Sequence, residues 1–172
     1  RFMGGREIET LIELDTRRVD IVADQPALMA AVPDILASGT MLLPCFAPGF
    51  GPFPAHLGRW INRPEDWFAR RAAVCLYAAL VAATSLSLIG TQGILLVEGR
   101  FAEAQVFVRA LASLRPDLTM YTANAHNDVS FGALRLINPS PRPKGHLTRV
   151  APLDVELTNY RRTWNTYLEG TA

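Results

Sequence analysis

The sequence has few cysteines and histidines, and neither residue type forms a metal-ligand spacing. Cys45 and Cys75 lie in apolar segments and make no CxxC pair. His56, His126 and His146 lie far apart, so they share none of the close spacings that zinc ligands show. We therefore expect no metal site, and we expect both cysteines to be buried, reduced thiols of a cytoplasmic protein.

An excess of charge is also lacking. The 172 residues carry a formal net charge of +1, and the arginines occur as scattered pairs such as Arg17-Arg18 and Arg161-Arg162. Proteins that bind nucleic acids carry a basic patch or stripe, so we expect no nucleic-acid partner. Because 49% of the residues are apolar, the chain can build a packed core, and its length suits one domain.

Known catalytic motifs are missing as well. No serine lies in a GxSxG turn, no carboxylate pair has a spacing typical of acid–base catalysis, and no cysteine has a histidine placed to activate it. None of these motifs therefore supplies a candidate catalytic residue.

Residues 72–97 form a run without a charged side chain, and this run is long enough to span a bilayer. Gly90 and Gly93 interrupt this run, so we interpret it as a buried helix, a turn and a buried strand, with no membrane span. The N-terminus lacks the apolar stretch of a signal peptide. Since the chain opens with Arg1 in place of methionine, we expect a trimmed piece of a longer protein.

Hydrophobic periodicity and breakers predict alternating helices and strands. Helices are predicted over residues 25–37, 64–88, 102–113, 127–137 and 157–168, and strands over 41–43, 94–97 and 118–122. Pro33 should kink or split the first helix, and Gly4-Gly5 predicts a turn. Residues 44–62 and 138–152 are rich in breakers and predict loops. From residue 64 onward, the alternation of helix and strand predicts a parallel α/β layer.

Two local features are candidates for a binding site. Glu98-Gly99 lies where a predicted buried strand meets a helix, and open α/β sheets bind ligands at such junctions; the same turn is also common as plain structure. Residues 44–53 form a long apolar loop stiffened by prolines. Such a loop is typical of a functional segment or a domain seam, and equally of a packing loop at a sheet edge.

Four segments, in this order, resemble motifs of the FGGY family of carbohydrate kinases. GGREIETL resembles the family's G-x-x-x-Q-W segment, with Gly5 on the glycine and Glu9 on the glutamine. LPCFAPGFGPF resembles its proline-rich loop, P-x-F-x-G-x-G-x-P-Y. LVEGRFAEAQVFVRALASL and SFGALRL resemble its GG-type turn with the following helix and its GAALLA helix.

The resemblance implies an α/β domain of the actin-like ATPase (ribonuclease H-like) fold. It also implies that the γ-phosphate of ATP, with Mg²⁺, is transferred to a hydroxyl group of a ketose or polyol. The nucleotide-binding residues that it implies are Gly5, Glu9, Glu98, Gly99 and Glu103. Glu9 replaces a glutamine, Glu98 replaces the first glycine of the GG pair, and Glu103 replaces an asparagine near adenine.

The resemblance further implies that residues 1–172 are a single domain, the C-terminal lobe, with the sugar-binding N-terminal lobe and the first strands of the sheet absent. The catalytic aspartate would lie in that absent part, so the chain alone should be inactive. Implied partners are ATP or ADP, a sugar, the N-terminal lobe and, from family habit, a second copy in a homodimer. Two alternatives stay open: a non-catalytic α/β module that binds a protein through residues 44–53, and another actin-like ATPase of the chaperone type.

Overall fold

The computed structural model describes residues 4–13, 20–123, 129–140 and 146–170. In that part of the chain the helices are α1 (Gly4–Ile12), α2 (Gln25–Ser38), α3 (Trp67–Leu88), α4 (Arg100–Glu103), α5 (Gln105–Leu114), α6 (Val129–Ile137) and α7 (Thr158–Glu169). The strands are β1 (Met41–Leu43), β2 (Arg59–Ile61), β3 (Gly93–Val97), β4 (Leu118–Ala123) and β5 (Leu147–Arg149). Arg17-Arg18, His126 and the first two positions of the helix predicted over 127–137 lie outside the described residues.

Helix α3 forms the centre of the fold. The Asp66 side chain caps it by accepting a hydrogen bond from the Ala69 amide at 2.7 Å, so the helix begins at Trp67 and not at residue 64 as predicted. Buried residues follow from Arg71 to Ala83. Helices α1, α2 and α5 and strand β1 pack around it. This confirms the prediction that a helix with apolar residues on nearly all sides is covered by other elements on most of its surface.

The same helix is long and apolar enough to cross a membrane, by length and composition. In this fold 61% of its most apolar 18-residue window is buried inside the protein. Core helices meet the same length and hydropathy criteria as membrane spans, and the burial of α3 matches the prediction of a core helix.

The strands form two small sheets. Strand β3 pairs with β4 in parallel, from Gly93 opposite Leu118 to Val97 opposite Thr122, which confirms the predicted parallel layer. Strand β5 adds antiparallel to β4, while β1 and β2 form a separate antiparallel pair. The sequence reading missed β2 and β5, since each has three residues within a segment rich in breakers.

Strand β3 is not the buried strand that its apolar run predicts. Leu95 and Val97 pack against the core, but Ile94 is 71% exposed and Leu96 is 45% exposed. Successive side chains of a strand point to opposite faces, so only the face that carries Leu95 and Val97 is covered. On the described part of the chain, β3 is also an edge strand. The strand therefore carries an open apolar face and an open edge on this part of the chain.

Two other helix predictions differ in detail from the structure. Pro33 lies inside α2 without splitting it, and the helix ends, as predicted, at Gly39 with φ +65°. The helix predicted over 102–113 is interrupted at Ala104, where ψ is 89°. The chain restarts as α5 because Gln25 accepts a hydrogen bond from the Gln105 amide at 2.8 Å, which satisfies one of the free amides at the start of a helix.

Helix α7 closes the fold by docking on β1. The Trp164 indole donates to the Leu42 carbonyl at 2.8 Å, and the Tyr160 hydroxyl donates to the Thr40 carbonyl at the same distance. Both side chains are buried. They satisfy backbone acceptors of a buried strand, which would otherwise cost free energy.

The loop between β1 and β2 depends on a close contact between Gly58 and Phe46. A Cβ atom at Gly58 would lie 2.6–2.8 Å from the Phe46 ring. We predict that Gly58→Ala displaces that ring and lowers the free energy of unfolding by about 1–3 kcal/mol, measured by urea denaturation. Gly132→Ala is the matched control: its Cβ would meet nothing within 4 Å, so stability should be unchanged or slightly higher. Equal effects of the two substitutions would contradict this account of the loop.

Candidate functional site

Helix α1 separates two cavities. The sequence predicts a turn at Gly4-Gly5, but the helix already begins at Gly4. Helical spacing places Gly5 and Glu9 on one face, and Arg6 and Thr10 on another. The first pair lines an apolar cavity of about 240 Å³, and the second pair lines a polar cavity of about 250 Å³.

The apolar cavity lies between α1, α2, α3 and the α4–α5 segment. Its walls are mostly aliphatic and aromatic, and they include Ile8, Ile12, Ile21, Leu28, Phe101 and Phe107. The two phenylalanine rings lie 4.8 Å apart between centroids. A largely apolar cavity with a few polar groups at its boundary is the usual form of a small-molecule site.

The polar residues around this cavity are mostly held by partners within the protein. Arg71 is buried and forms an ion pair with Asp24 at 2.5 Å. The Gln25 amide group donates to the Ile21 carbonyl at 2.8 Å. The Gln25 side-chain oxygen accepts the hydrogen bond from the Gln105 amide at the start of α5. Burial raises the pKa of the Cys75 thiol to about 12, so at neutral pH this side chain is an uncharged part of the wall. Neither cysteine forms a disulfide in the structure; Cys45 is buried, as predicted, and Cys75 is only partly buried.

Two of the five predicted nucleotide-binding residues, Gly5 and Glu9, line this cavity. Glu98, Gly99 and Glu103 do not line it. Glu98 and Gly99 form the turn before α4, and Glu103 is the last residue of that helix, whose residues Arg100 and Phe101 do line the cavity. The two motifs lie far apart in the sequence, so the approach of α4 to α1 is a property of the fold.

The turn after β3 has the geometry that only glycine adopts easily. Gly99 has φ +67° and ψ −153°, and a Cβ there would meet nothing within 4 Å. The backbone is therefore open to the approach of another molecule. Glu98 is exposed, and Glu103 forms an ion pair with Arg100 at 3.0 Å, which offsets one negative charge at this turn.

The polar cavity contains a residue that the sequence reading missed. Glu7 is 3% exposed, and its Oε2 atom accepts hydrogen bonds from the Tyr77 hydroxyl at 2.6 Å and the Phe46 amide at 3.3 Å. Burial, reinforced by the hydrogen bond to Glu7, raises the pKa of Tyr77 above its ordinary value. A glutamate in a short helix usually faces water. Its partners lie 39 and 70 positions further along the chain, so no local pattern identifies it as buried.

The apolar loop over residues 44–53 turns most of its aromatic side chains inward. Phe46 packs edge-on against Tyr77 with centroids 5.7 Å apart, and Phe53 packs against Trp164 at 5.4 Å. Phe50, at 48% exposure, points outward. Of the alternatives for this loop, the contacts favour a packing role, and they leave little apolar surface for a protein partner.

Metal ligands are not grouped in the described part of the chain. No set of three histidine, cysteine, aspartate or glutamate side chains lies close enough to hold an ion there. His126 lies outside the described residues.

Comparison with known proteins gives the family. The family described as carbohydrate kinase FGGY, C-terminal domain, matches residues 1–144, and the chain belongs to it. Its mixed α/β structure is consistent with the actin-like ATPase fold of that domain. The resemblance seen in the four sequence motifs is thereby confirmed.

A solved structure is also similar to the chain. It is the crystal structure of a carbohydrate kinase from Novosphingobium aromaticivorans, with 66% sequence identity and a TM-score of 0.88. The match covers 98% of this chain and 36% of that one, so this chain spans about a third of the length of that kinase. No curated protein sequence matches the chain.

The hydrogen bond between Tyr77 and Glu7 ties α1 to the central helix. We predict that Tyr77→Phe lowers the free energy of unfolding by about 1–3 kcal/mol, because a buried acceptor loses its nearest donor. Tyr121→Phe, on the half-buried strand β4, should change stability by less than about 0.5 kcal/mol. Urea denaturation of the two variants measures the difference. No loss of stability in Tyr77→Phe would mean that this bond does not hold α1 in place.

Proposed function

We propose that the chain is the nucleotide-binding lobe of a cytoplasmic carbohydrate kinase that transfers the γ-phosphate of ATP to a hydroxyl group of a ketose or polyol. The convergence of α1 and the α4–α5 segment on one apolar cavity, next to the turn at Gly99, supports this function most strongly. Membership of the carbohydrate kinase family supports the same general reaction. A solved structure similar to this chain is also that of a carbohydrate kinase.

The apolar cavity suits the purine base of ATP. Its volume of about 240 Å³ lies just below the roughly 300 Å³ at which pockets for whole drug-sized ligands begin, so it would take the base and leave the phosphates outside. Phe101 and Phe107 offer aromatic faces to a flat ring. Glu9 lines the cavity, and a carboxylate accepts hydrogen bonds from an amino group such as the N6 group of adenine.

The turn around Gly99 would receive the part of the nucleotide that extends from the base. No side chain fills the space in front of Gly99, so backbone and ligand can come close. A triphosphate near Glu98 and Glu103 meets like charge. The ion pair between Glu103 and Arg100 reduces that repulsion and leaves Glu98 as the unfavourable charge.

The reaction also uses Mg²⁺, and the described residues of this chain do not form an ion site for it. In phosphoryl transfer the ion neutralises charge that develops on the phosphate oxygens.

The rest of the reaction requires groups from another part of the polypeptide. Phosphoryl transfer needs a residue that orients and deprotonates the attacking hydroxyl, and we assign none in this chain. We propose that an N-terminal lobe of the same protein supplies it and closes against this lobe, excluding water. The similar kinase has room for such a lobe, since the match covers 36% of its length. A homodimer stays a prediction from family habit.

We also propose that further strands of the same protein complete the sheet at β3. The open edge of β3 and its exposed residues Ile94 and Leu96 are the surface they would cover. On the described part of α6, Leu136 and Ile137 are also largely exposed. Strand addition to a free edge satisfies backbone groups and buries apolar surface together.

The function is tested by ADP release from the full-length protein with Mg-ATP and a panel of ketoses and polyols. We expect release to be stimulated by one sugar, which also identifies the substrate.

Ala104→Phe should fill the apolar cavity and raise the KM for ATP about tenfold or more, while Ala151→Phe, at an exposed position, serves as the matched control.

Gly99→Val should also abolish nucleotide binding, but it forces a branched side chain into a backbone conformation with positive φ, so Ala104→Phe isolates the cavity more cleanly. Failure of every sugar to stimulate release by a folded protein would contradict the proposed function. An unchanged KM for ATP in Ala104→Phe would remove the nucleotide from this cavity.

A further inference from the structure

We propose that Glu7 is a positioning residue for the nucleotide site, because its hydrogen bonds fix the helix that carries Gly5 and Glu9. This inference rests on the function proposed above and concerns the same apolar cavity. Glu7 does not line that cavity, so it acts through the placement of α1. In the sequence it occupies one of the variable positions of the G-x-x-x-Q-W segment, and no motif assigned it a role.

Helix α1 needs contacts with the rest of the protein to hold its position. It has nine residues, and isolated helices shorter than about 12–15 residues are marginal in water. It packs on α3. Its buried residues are Gly4, Glu7 and Ile12, and of these three only Glu7 has a side chain that forms hydrogen bonds. The orientation of α1 therefore depends strongly on how Glu7 is held.

Two donors from distant parts of the chain hold the Glu7 carboxyl group. The Tyr77 hydroxyl donates to Oε2 at 2.6 Å, and the Phe46 amide donates to the same atom at 3.3 Å. The shorter contact has the length of a hydrogen bond from a hydroxyl group to a carboxylate, which is about twice as strong as a neutral one. Burial raises the pKa of Tyr77, so its hydroxyl keeps its proton at neutral pH and remains a donor.

The two donors are themselves fixed by their neighbours. Tyr77 is 1% exposed in the middle of α3. The Phe46 ring packs edge-on against the Tyr77 ring, with centroids 5.7 Å apart, and it also lies against Gly58. Because neither donor is free to follow Glu7, a displacement of α1 would lengthen both hydrogen bonds.

The geometry of a helix links Glu7 to the residues of the nucleotide site. Successive residues are separated by about 100° around the helix axis, so Gly5 and Glu9, each two positions away, lie on nearly the opposite side from Glu7. A rotation of α1 by about 10° would move an atom about 5 Å from its axis by roughly 1 Å. Hydrogen-bond lengths span only about 0.5 Å, so this displacement would weaken a contact between Glu9 and a bound base.

The test is the binding of ADP to the full-length protein, measured by isothermal titration calorimetry. Tyr77→Phe should raise the Kd for ADP about five- to tenfold, because Glu7 loses its nearest donor. Tyr160→Phe is the matched control: its buried hydroxyl also donates one hydrogen bond, to the Thr40 carbonyl at 2.8 Å, and Tyr160 does not line the apolar cavity. This control should lose similar stability and keep the Kd for ADP within about twofold.

Two substitutions of Glu7 separate its hydrogen bonds from its bulk. Glu7→Met has a similar length and lacks the strong acceptor, so it should weaken ADP binding at least as much as Tyr77→Phe. Glu7→Gln keeps an oxygen that accepts from Tyr77 and Phe46, and it should recover most of the affinity that Glu7→Met loses. Each titration is made below the thermal midpoint of the variant. If Tyr77→Phe does not fold, the comparison of Glu7→Gln with Glu7→Met decides.

The outcomes separate this inference from the proposed function. A higher Kd for Tyr77→Phe but not for Tyr160→Phe, with recovery in Glu7→Gln, supports Glu7 as a positioning residue. If the wild-type protein binds ADP and Tyr77→Phe keeps its Kd, or if both tyrosine variants raise the Kd equally, Glu7 does not position the site, although the proposed function stands. If the folded wild-type protein does not bind ADP, the nucleotide site and this inference fail together.

Discussion

The fold depends on the burial of helix α3 among the other elements. Its buried stretch is rich in alanine, so neighbouring backbones can approach closely, and α1, α2, α5 and β1 all contact it. Its larger residues fix those neighbours in turn: Arg71 pairs with Asp24 before α2, and Tyr77 holds Glu7 of α1. Substitutions that enlarge or charge this helix would act on several elements together, because densely packed interiors transmit strain.

Helix α1 presents two chemically different surfaces. One face meets an apolar cavity beside the β3–α4 turn, and the other meets a polar cavity beside the proline-rich loop. Gly5 and Glu9 lie on the first face, and Glu7 belongs to the second. The apolar face supports a lobe that positions a nucleotide.

The sequence predicted those features that local patterns determine. A charge-free run predicted the burial of α3, and Gly99 was placed correctly at a turn between strand and helix. Contacts made over long sequence distances were missed, including the burial of Glu7 and the break at Ala104, which depends on Gln25. The exposure of β3 was also missed, because an apolar run shows that a strand needs cover and does not show which residues provide it.

A crystal structure of the full-length protein with ADP tests the central claim most directly, that the nucleotide base binds in the apolar cavity beside α1. We predict that the base lies between α1 and Phe101. A base bound elsewhere, for example in the groove between α5 and α7 near Arg161, would contradict the account.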